Sequence, residues 1–384
     1  LDQFGEKYPK LDIPEELAAG LLQAKDQHEA DVFLEAIQQS IADRIPASWT
    51  DKLNAWRYLS MLGNPRTHMR NILGNMIFVP MRKFKDIIGT GLERTGLVKK
   101  EDRTKALPGL SKADRARRDF AQQDFQENAG AVRGENRYDV GTGIRDRRRI
   151  FETGVLEKAR KLNFAALEAE DAFFLRGAYV SAFAQAMKAR GLTAADLTAG
   201  TRKSEQTLSE IRAWATNEAQ KATYRDANAL AGMISRGKAK LGEKAKGART
   251  PVGKIAWGTA NVAAEGLVPF AKTPANIIKR GLEYSPAGLG AGIFELAWGV
   301  KQGKVTAAQA VDLMASGLSG TAVMGLGVFL ASCGILTGAG SDERRKRQFD
   351  EAQGIQQYAL NLFGHSYTID WAAPTALPLF IGAE

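Results

Sequence analysis

Residues 313–340 read LMASGLSGTAVMGLGVFLASCGILTGAG, 28 consecutive positions without a charged side chain. A helix of about 20 apolar residues crosses the hydrocarbon core of a bilayer. The stretch ends abruptly at Ser341, after which Asp342-Glu343-Arg344-Arg345-Lys346-Arg347 are all charged and mostly basic. That is the layout of a membrane span stopping at a cytoplasmic basic flank. Small residues recur four apart, at Ser316 and Gly320, Thr321 and Gly325, and Gly334 and Gly338. Such spacing lets a second helix backbone approach closely, in this chain or in a second copy of it. A central helix of a water-soluble bundle is the competing reading. The missing polar face favours the span, with Leu313, Gly320, Gly325, Phe329, Gly334 and Gly338 as the insertion positions.

Around this stretch lies a basic chain of 384 residues with a formal net charge of +10, long enough for two or three compact units. Between positions 236 and 280 ten Lys or Arg face two Glu, a local excess of +8. A concentrated positive block points to an anionic partner, phospholipid or nucleic acid, and composition alone does not choose between them. The positions assigned to that contact are Lys238, Lys240, Lys244, Lys246, Arg249, Lys279 and Arg280, together with Arg344, Arg345, Lys346 and Arg347 after the apolar stretch. Leu1 and the final residues read as cuts from a longer polypeptide, and the polar first ten residues do not form a signal peptide.

Helical periodicity dominates elsewhere, and the expected class is all-α: amphipathic helices, a long apolar glycine-rich hairpin region and a small C-terminal β-hairpin. Apolar residues at three- and four-residue steps predict one helix over 11–44. A second helix runs from Thr50 to Gly63, and Asn64-Pro65 restarts the chain as cap and first helical residue. Arg66, His68, Arg70 and Asn71 sit where a DNA-reading helix would place its contacts, but Ile72, Leu73, Ile77, Phe78 and Val79 make that helix too apolar for the role. An ordinary hairpin, or an interfacial segment anchored by Arg82, Lys83 and Lys85, fits better. Further helices are expected over 151–190, 192–197 and 204–235, and a hairpin over 360–370 turning at Gly364-His365. The expected segments are an N-terminal helical hairpin (1–98), a polar basic connector (99–150), a helical core (151–235), a basic linker (236–254), an apolar membrane-compatible region (255–347), and a hairpin with a last helix (348–384).

Residues that could carry chemistry are sparse. One cysteine, Cys333, excludes an internal disulfide framework, and His28, His68 and His365 are scattered. Glu168 and Asp171 share a helix face at the spacing of a carboxylate pair, yet no histidine follows as in dinuclear carboxylate bundles, so an ion-pair or capping role is favoured. Phosphate-binding loops, dinucleotide fingerprints and hydrolase or zinc-protease motifs do not occur. The expectation is a non-enzymatic chain without cofactor or metal.

Trp56-Arg57-Tyr58-Leu59-Ser60-Met61-Leu62-Gly63-Asn64-Pro65-Arg66-Thr67-His68, leading into Arg70-Asn71-Ile72-Leu73-Gly74-Asn75, resembles a motif of large polyvalent proteins, the giant multidomain proteins of phages, prophages and conjugative elements. Four later stretches resemble the same family: Ala166 to Arg176, Glu218-Ala219-Gln220-Lys221-Ala222-Thr223-Tyr224-Arg225-Asp226, Pro269-Phe270-Ala271-Lys272-Thr273-Pro274-Ala275-Asn276-Ile277, and Ser366-Tyr367-Thr368-Ile369-Asp370-Trp371-Ala372-Ala373-Pro374. The resemblance implies a non-catalytic associated domain of a long protein that accompanies mobile DNA into a recipient cell. Its location would be the virion or donor cell and then the recipient cytoplasmic membrane. Its partners would be that anionic membrane, DNA, and other domains of the same polypeptide. A basic helical module without membrane insertion, holding nucleic acid or acting as a scaffold, is the alternative.

Overall fold

The computed structural model describes residues 13–24, 27–44, 49–133, 149–151, 154–226, 228–247, 250, 253, 256–257, 259–260, 272–340, 343–373 and 375–384. Its helices are α1 (Glu15–Leu22), α2 (Gln27–Arg44), α3 (Trp49–Leu62), α4 (Pro65–Leu92), α5 (Lys112–Glu127), α6 (Ala129–Arg133), α7 (Gly154–Arg190), α8 (Ala194–Leu197), α9 (Arg202–Ala222), α10 (Ala229–Gly247), α11 (Lys272–Glu283), α12 (Pro286–Phe294), α13 (Ala307–Ser332), α14 (Arg344–Ala352) and α15 (Leu377–Ala383). Strands β1 (Ala359–Leu362) and β2 (His365–Thr368) form a two-stranded antiparallel sheet. The class is therefore all-α with a small β-hairpin, as the sequence leads one to expect. The hairpin turn falls at Phe363-Gly364, both in the left-handed region, the geometry a tight two-residue turn demands.

Two compact units are present, each assembled from two separated segments: residues 1–69 with 135–171, and residues 70–134 with 172–384. Neither unit coincides with one of the six consecutive segments set out above. In the first unit, the helix expected over 11–44 is two helices. α1 ends when the Gln23 N–H returns to the Ala19 and Gly20 carbonyls, and glycine at position 20 leaves room for the Phe33 ring of α2 against the α1 backbone. The start of α7 is held by Glu157, whose carboxylate accepts the Ile150 and Phe151 N–H groups and pairs with Arg160 at 2.5 Å. His68 lies between Glu170 (2.6 Å) and Asn163 (3.0 Å), a structural setting for that side chain.

In the second unit, α5, α7 and α9 pack around Phe125, Leu175, Tyr179, Phe183, Met187, Ile211 and Ala215. Full burial of large aromatic and aliphatic side chains there supplies the main apolar driving force, about 1.5–3 kcal/mol for each. The Tyr179 hydroxyl donates to Asp124 at 2.6 Å, and Arg212 closes on the other oxygen of that carboxylate, so the aromatic core contains no unsatisfied phenol.

Two expectations in this unit are corrected. The helix expected over 204–235 breaks after Ala222, because Tyr224 adopts a left-handed backbone that the Asn276 side chain holds by donating to the Tyr224 (2.8 Å) and Asp226 (3.0 Å) carbonyls. The expected basic linker is helical as far as Gly247, where it forms the second half of α10. Helix α13 begins ahead of the uncharged stretch, at a capping box between Thr306 and Gln309, and stops at Ser332. Gly334, with φ of +69°, supplies the left-handed turn that ends it.

Candidate functional site

Six charged side chains meet in the interior of the second unit, brought there by four different parts of the chain. Lys85 and Asp86 come from the middle of α4, Glu218 and Lys221 from the last turns of α9, and Asp312 from the second turn of α13. Lys105 comes from the irregular segment before α5. Glu93 positions it: this buried carboxylate accepts the Thr104 hydroxyl (2.6 Å) and the Thr104 and Lys105 N–H groups (each 2.9 Å), tying residues 104–105 to the end of α4.

The Lys85 ammonium lies 2.9 Å from Glu218 and 2.8 Å from Asp312. Lys105 reaches Asp86 at 2.8 Å, Asp312 at 3.1 Å and Glu218 at 3.2 Å. Lys221 closes the group at 3.0 Å from Glu218 and 3.3 Å from Asp312. Gln185 of α7 donates to the outer oxygen of Asp86 at 3.0 Å, and the Trp214 ring lies under Lys105 and Lys221. Glu218 is only 2% exposed, and Lys85 and Asp312 only 4%.

Burial by itself would raise the Glu218 and Asp86 carboxyls and lower the Lys105 amine. The surrounding opposite charges outweigh it: Lys105, Lys221 and Lys85 hold Glu218 well below the usual carboxylate range, and Asp86 is also lowered. Asp312, Asp86 and Glu218 hold Lys105 well above the usual amine range. A general acid or base works best with its pKa near the operating pH; these groups are driven the opposite way. The arrangement is suited to locking four chain segments together as fixed charges.

A second ion cluster lies on α11. Arg280 and Lys279 close on Asp226 at 2.6 and 2.7 Å, and Arg280 also pairs with Glu283. Arg280 is buried, so its assignment to an anionic surface is corrected: its charge is neutralised inside the unit. Lys279 is half-exposed and pointed at Asp226. The exposed members of the basic set are Lys240, Lys244, Arg344, Arg345 and Lys346, whereas Arg347 is half-buried. On α10, Arg236, Lys240 and Lys244 follow one another at four-residue steps on the exposed face, with Lys244 4.6 Å from the Trp257 ring centre. The side chains of Lys238, Lys246 and Arg249 lie outside the described residues.

The insertion positions divide in the same way. Gly320 is buried, and a Cβ there would overlap the Tyr284 backbone. Gly317 likewise admits the backbone of Leu289, Gly292 that of Met314, and Gly327 the Leu379 carbonyl. The space beside these small residues is thus filled by Tyr284, α12 and α15 of the same chain, which corrects Gly320 as a lipid-facing position. Gly334 is exposed and terminates the helix. Leu313 is half-buried, Gly338 lies beside Ala383 and Glu384, and Gly325 and Phe329 face outward. Near Phe329 the exposed apolar residues of α13 are Leu326 and Val328; on α12, which packs on the first half of α13, Ile293, Phe294 and, just beyond it, Trp298 are exposed. Among the described residues one helix, α13, is long and apolar enough to cross a membrane, and a third of its apolar window is buried inside the chain.

Sequence reasoning missed the buried ion cluster, although part of its signal was present. Glu218 lies on the apolar stripe of Ile211, Ala215, Ala219 and Ala222, and Lys85 continues the stripe of Phe78 and Met81. A charge on a buried stripe requires a partner. Nothing local marks Lys105. No family model, curated protein or solved structure matches the chain.

Proposed function

We propose that this chain is a non-catalytic structural module of a large phage-type or mobile-element protein, docking on the recipient cytoplasmic membrane during DNA delivery. One observation carries the reading: the second half of α13 exposes Leu326, Val328 and Phe329, and α13 carries no charge after Asp312. Large apolar side chains left exposed together on one helix mark interaction sites. The exposed Arg344, Arg345 and Lys346 follow it in sequence and suit anionic headgroups. Because the first half of α13 is enclosed by the chain's own helices, the module lies on the bilayer through its outer half, without a lone crossing helix.

The resemblance to polyvalent proteins supports the mobile-element setting. Two stretches quoted for it meet directly, through Asn276 and the carbonyls of Tyr224 and Asp226. Flotation with vesicles tests the docking. The wild-type chain should rise with vesicles containing phosphatidylglycerol, and a Leu326→Ser, Phe329→Ser double variant should stay behind. A wild-type chain that remains at the bottom of the gradient with every lipid composition rules the reading out.

Nucleic-acid binding without insertion is the second reading, favoured by the basic row Arg236, Lys240 and Lys244 on α10. It calls for affinity that falls steeply with salt and is indifferent to base sequence.

A further inference from the structure

A cavity of about 300 Å³ opens beside the buried ion cluster, between α4, α9, α11 and α13. Its wall includes Arg82, Lys85, Lys221, Arg280 and Lys304 against Glu218, Glu283 and Asp312, an excess of cations. Most of these charges are already matched, as described above. Arg82 is not. It is half-buried, close enough to act electrostatically on Asp86 and Glu218, and forms neither an ion pair nor a hydrogen bond among the described residues.

The inner cluster of Lys85, Lys105 and Lys221 against Asp86, Glu218 and Asp312 is balanced, so Arg82 inside the wall and Lys304 at its rim are left in surplus. Tyr284 adds an independent sign. It is 5% exposed, its ring packs against Phe78, and its hydroxyl makes no hydrogen bond among the described residues although the side chain lines the cavity. The oxygen opens into the cavity, where it is free to donate to a ligand. The Arg280 Nε atom is also buried without a hydrogen-bond partner.

We infer that this cavity binds a phosphate group, with Arg82 as its counter-charge and the Tyr284 hydroxyl as a donor. A guanidinium offers a planar pair of donors that matches two phosphate oxygens, and a phenol supplies a third hydrogen bond. The exposed Lys304 at the rim adds charge without blocking entry. The phosphate belongs to a small soluble ester or to a phospholipid headgroup. The inference is independent of the apolar docking face, since it rests on a different part of the unit.

Thermal unfolding of the whole chain tests it, with inorganic phosphate or glycerol phosphate titrated at ionic strength held constant by chloride. A ligand that binds only the folded state raises the midpoint in a saturable way. The expected result is such a rise, weakened at least tenfold in apparent affinity by Arg82→Gln and several-fold by Tyr284→Phe, and unchanged by Lys100→Gln on the exposed surface. Arg82 makes no ion pair, so its replacement removes the site without removing a structural contact. Vesicles of phosphatidylglycerol competing with soluble phosphate assign the site to a headgroup. Failure to compete, with soluble phosphate still bound, assigns it to a soluble ester. No rise beyond that given by chloride, or a rise that persists in full in both variants, overturns the inference.

Discussion

The two halves of α13 are alike in composition and opposite in circumstance. In the first half, Asp312 anchors three lysines, Ser316 and Ser319 turn their hydroxyls back onto the helix, and Gly317 and Gly320 receive neighbouring backbone. In the second half, Leu326, Val328 and Phe329 point outward, and Gly327 alone is buried, under α15. Hydropathy scores the two halves as one apolar helix. Packing separates them, because small residues beside a buried charge signal intramolecular contact, whereas large apolar side chains beyond them do not find a partner in the chain.

The sharpest break of this contrast is at the buried charges. Glu218→Leu leaves Lys85, Lys105 and Lys221 with too few counter-charges, and removal of one member of a buried pair costs about 3–5 kcal/mol. Equilibrium urea unfolding should show a loss of that size. The same cluster sets the pH response. Glu218, Asp86 and Asp226 have lowered pKa values, so their stabilisation is complete above the ordinary carboxylate value, roughly 4, and is lost as pH falls through the folded values. Lys105 and Lys221 are raised, so theirs is complete below roughly 10.4 and is lost as pH rises through the folded values. Stability followed by circular dichroism should therefore be flat near neutrality and decline at both extremes, and Glu218→Leu should flatten the acid limb.

Next in size is the close approach of backbones. Gly320→Val places methyl groups against the Tyr284 carbonyl and should cost at least about 1–3 kcal/mol, the range for overpacking. Gly325→Val, about one and a half turns from that contact on the outward face with open space around it, should cost far less. A smaller effect is expected for Leu326→Ser with Phe329→Ser: stability within about 0.5 kcal/mol of wild type for each exposed change, with binding to vesicles lost. The smallest is Lys240→Gln, which should leave stability unchanged and, if α10 meets nucleic acid, lower the salt slope of binding by about one.

Much of the fold is legible from local rules. The helix restart at Asn64-Pro65 is seen in the Asn64 side chain accepting the Arg66 N–H at 3.0 Å, and Thr193 caps α8 through a reciprocal pair with Asp196. What is not legible depends on distant partners. No glycine or proline announces the break after Ala222; it is fixed by Asn276, far along the chain. Lys105 reaches the core only because Glu93 ties down its backbone. The outward-facing and protein-facing glycines of α13 look identical in sequence, since glycine has no side chain to show which face is covered.

The docking of the outer half of α13 can be measured without altering the chain, because Cys333 is its one cysteine, exposed at the end of that helix. An environment-sensitive fluorophore attached there should shift to the blue and gain intensity when phosphatidylglycerol vesicles are added. An emission spectrum that stays that of a water-exposed probe, at lipid concentrations well in excess of protein, contradicts the account.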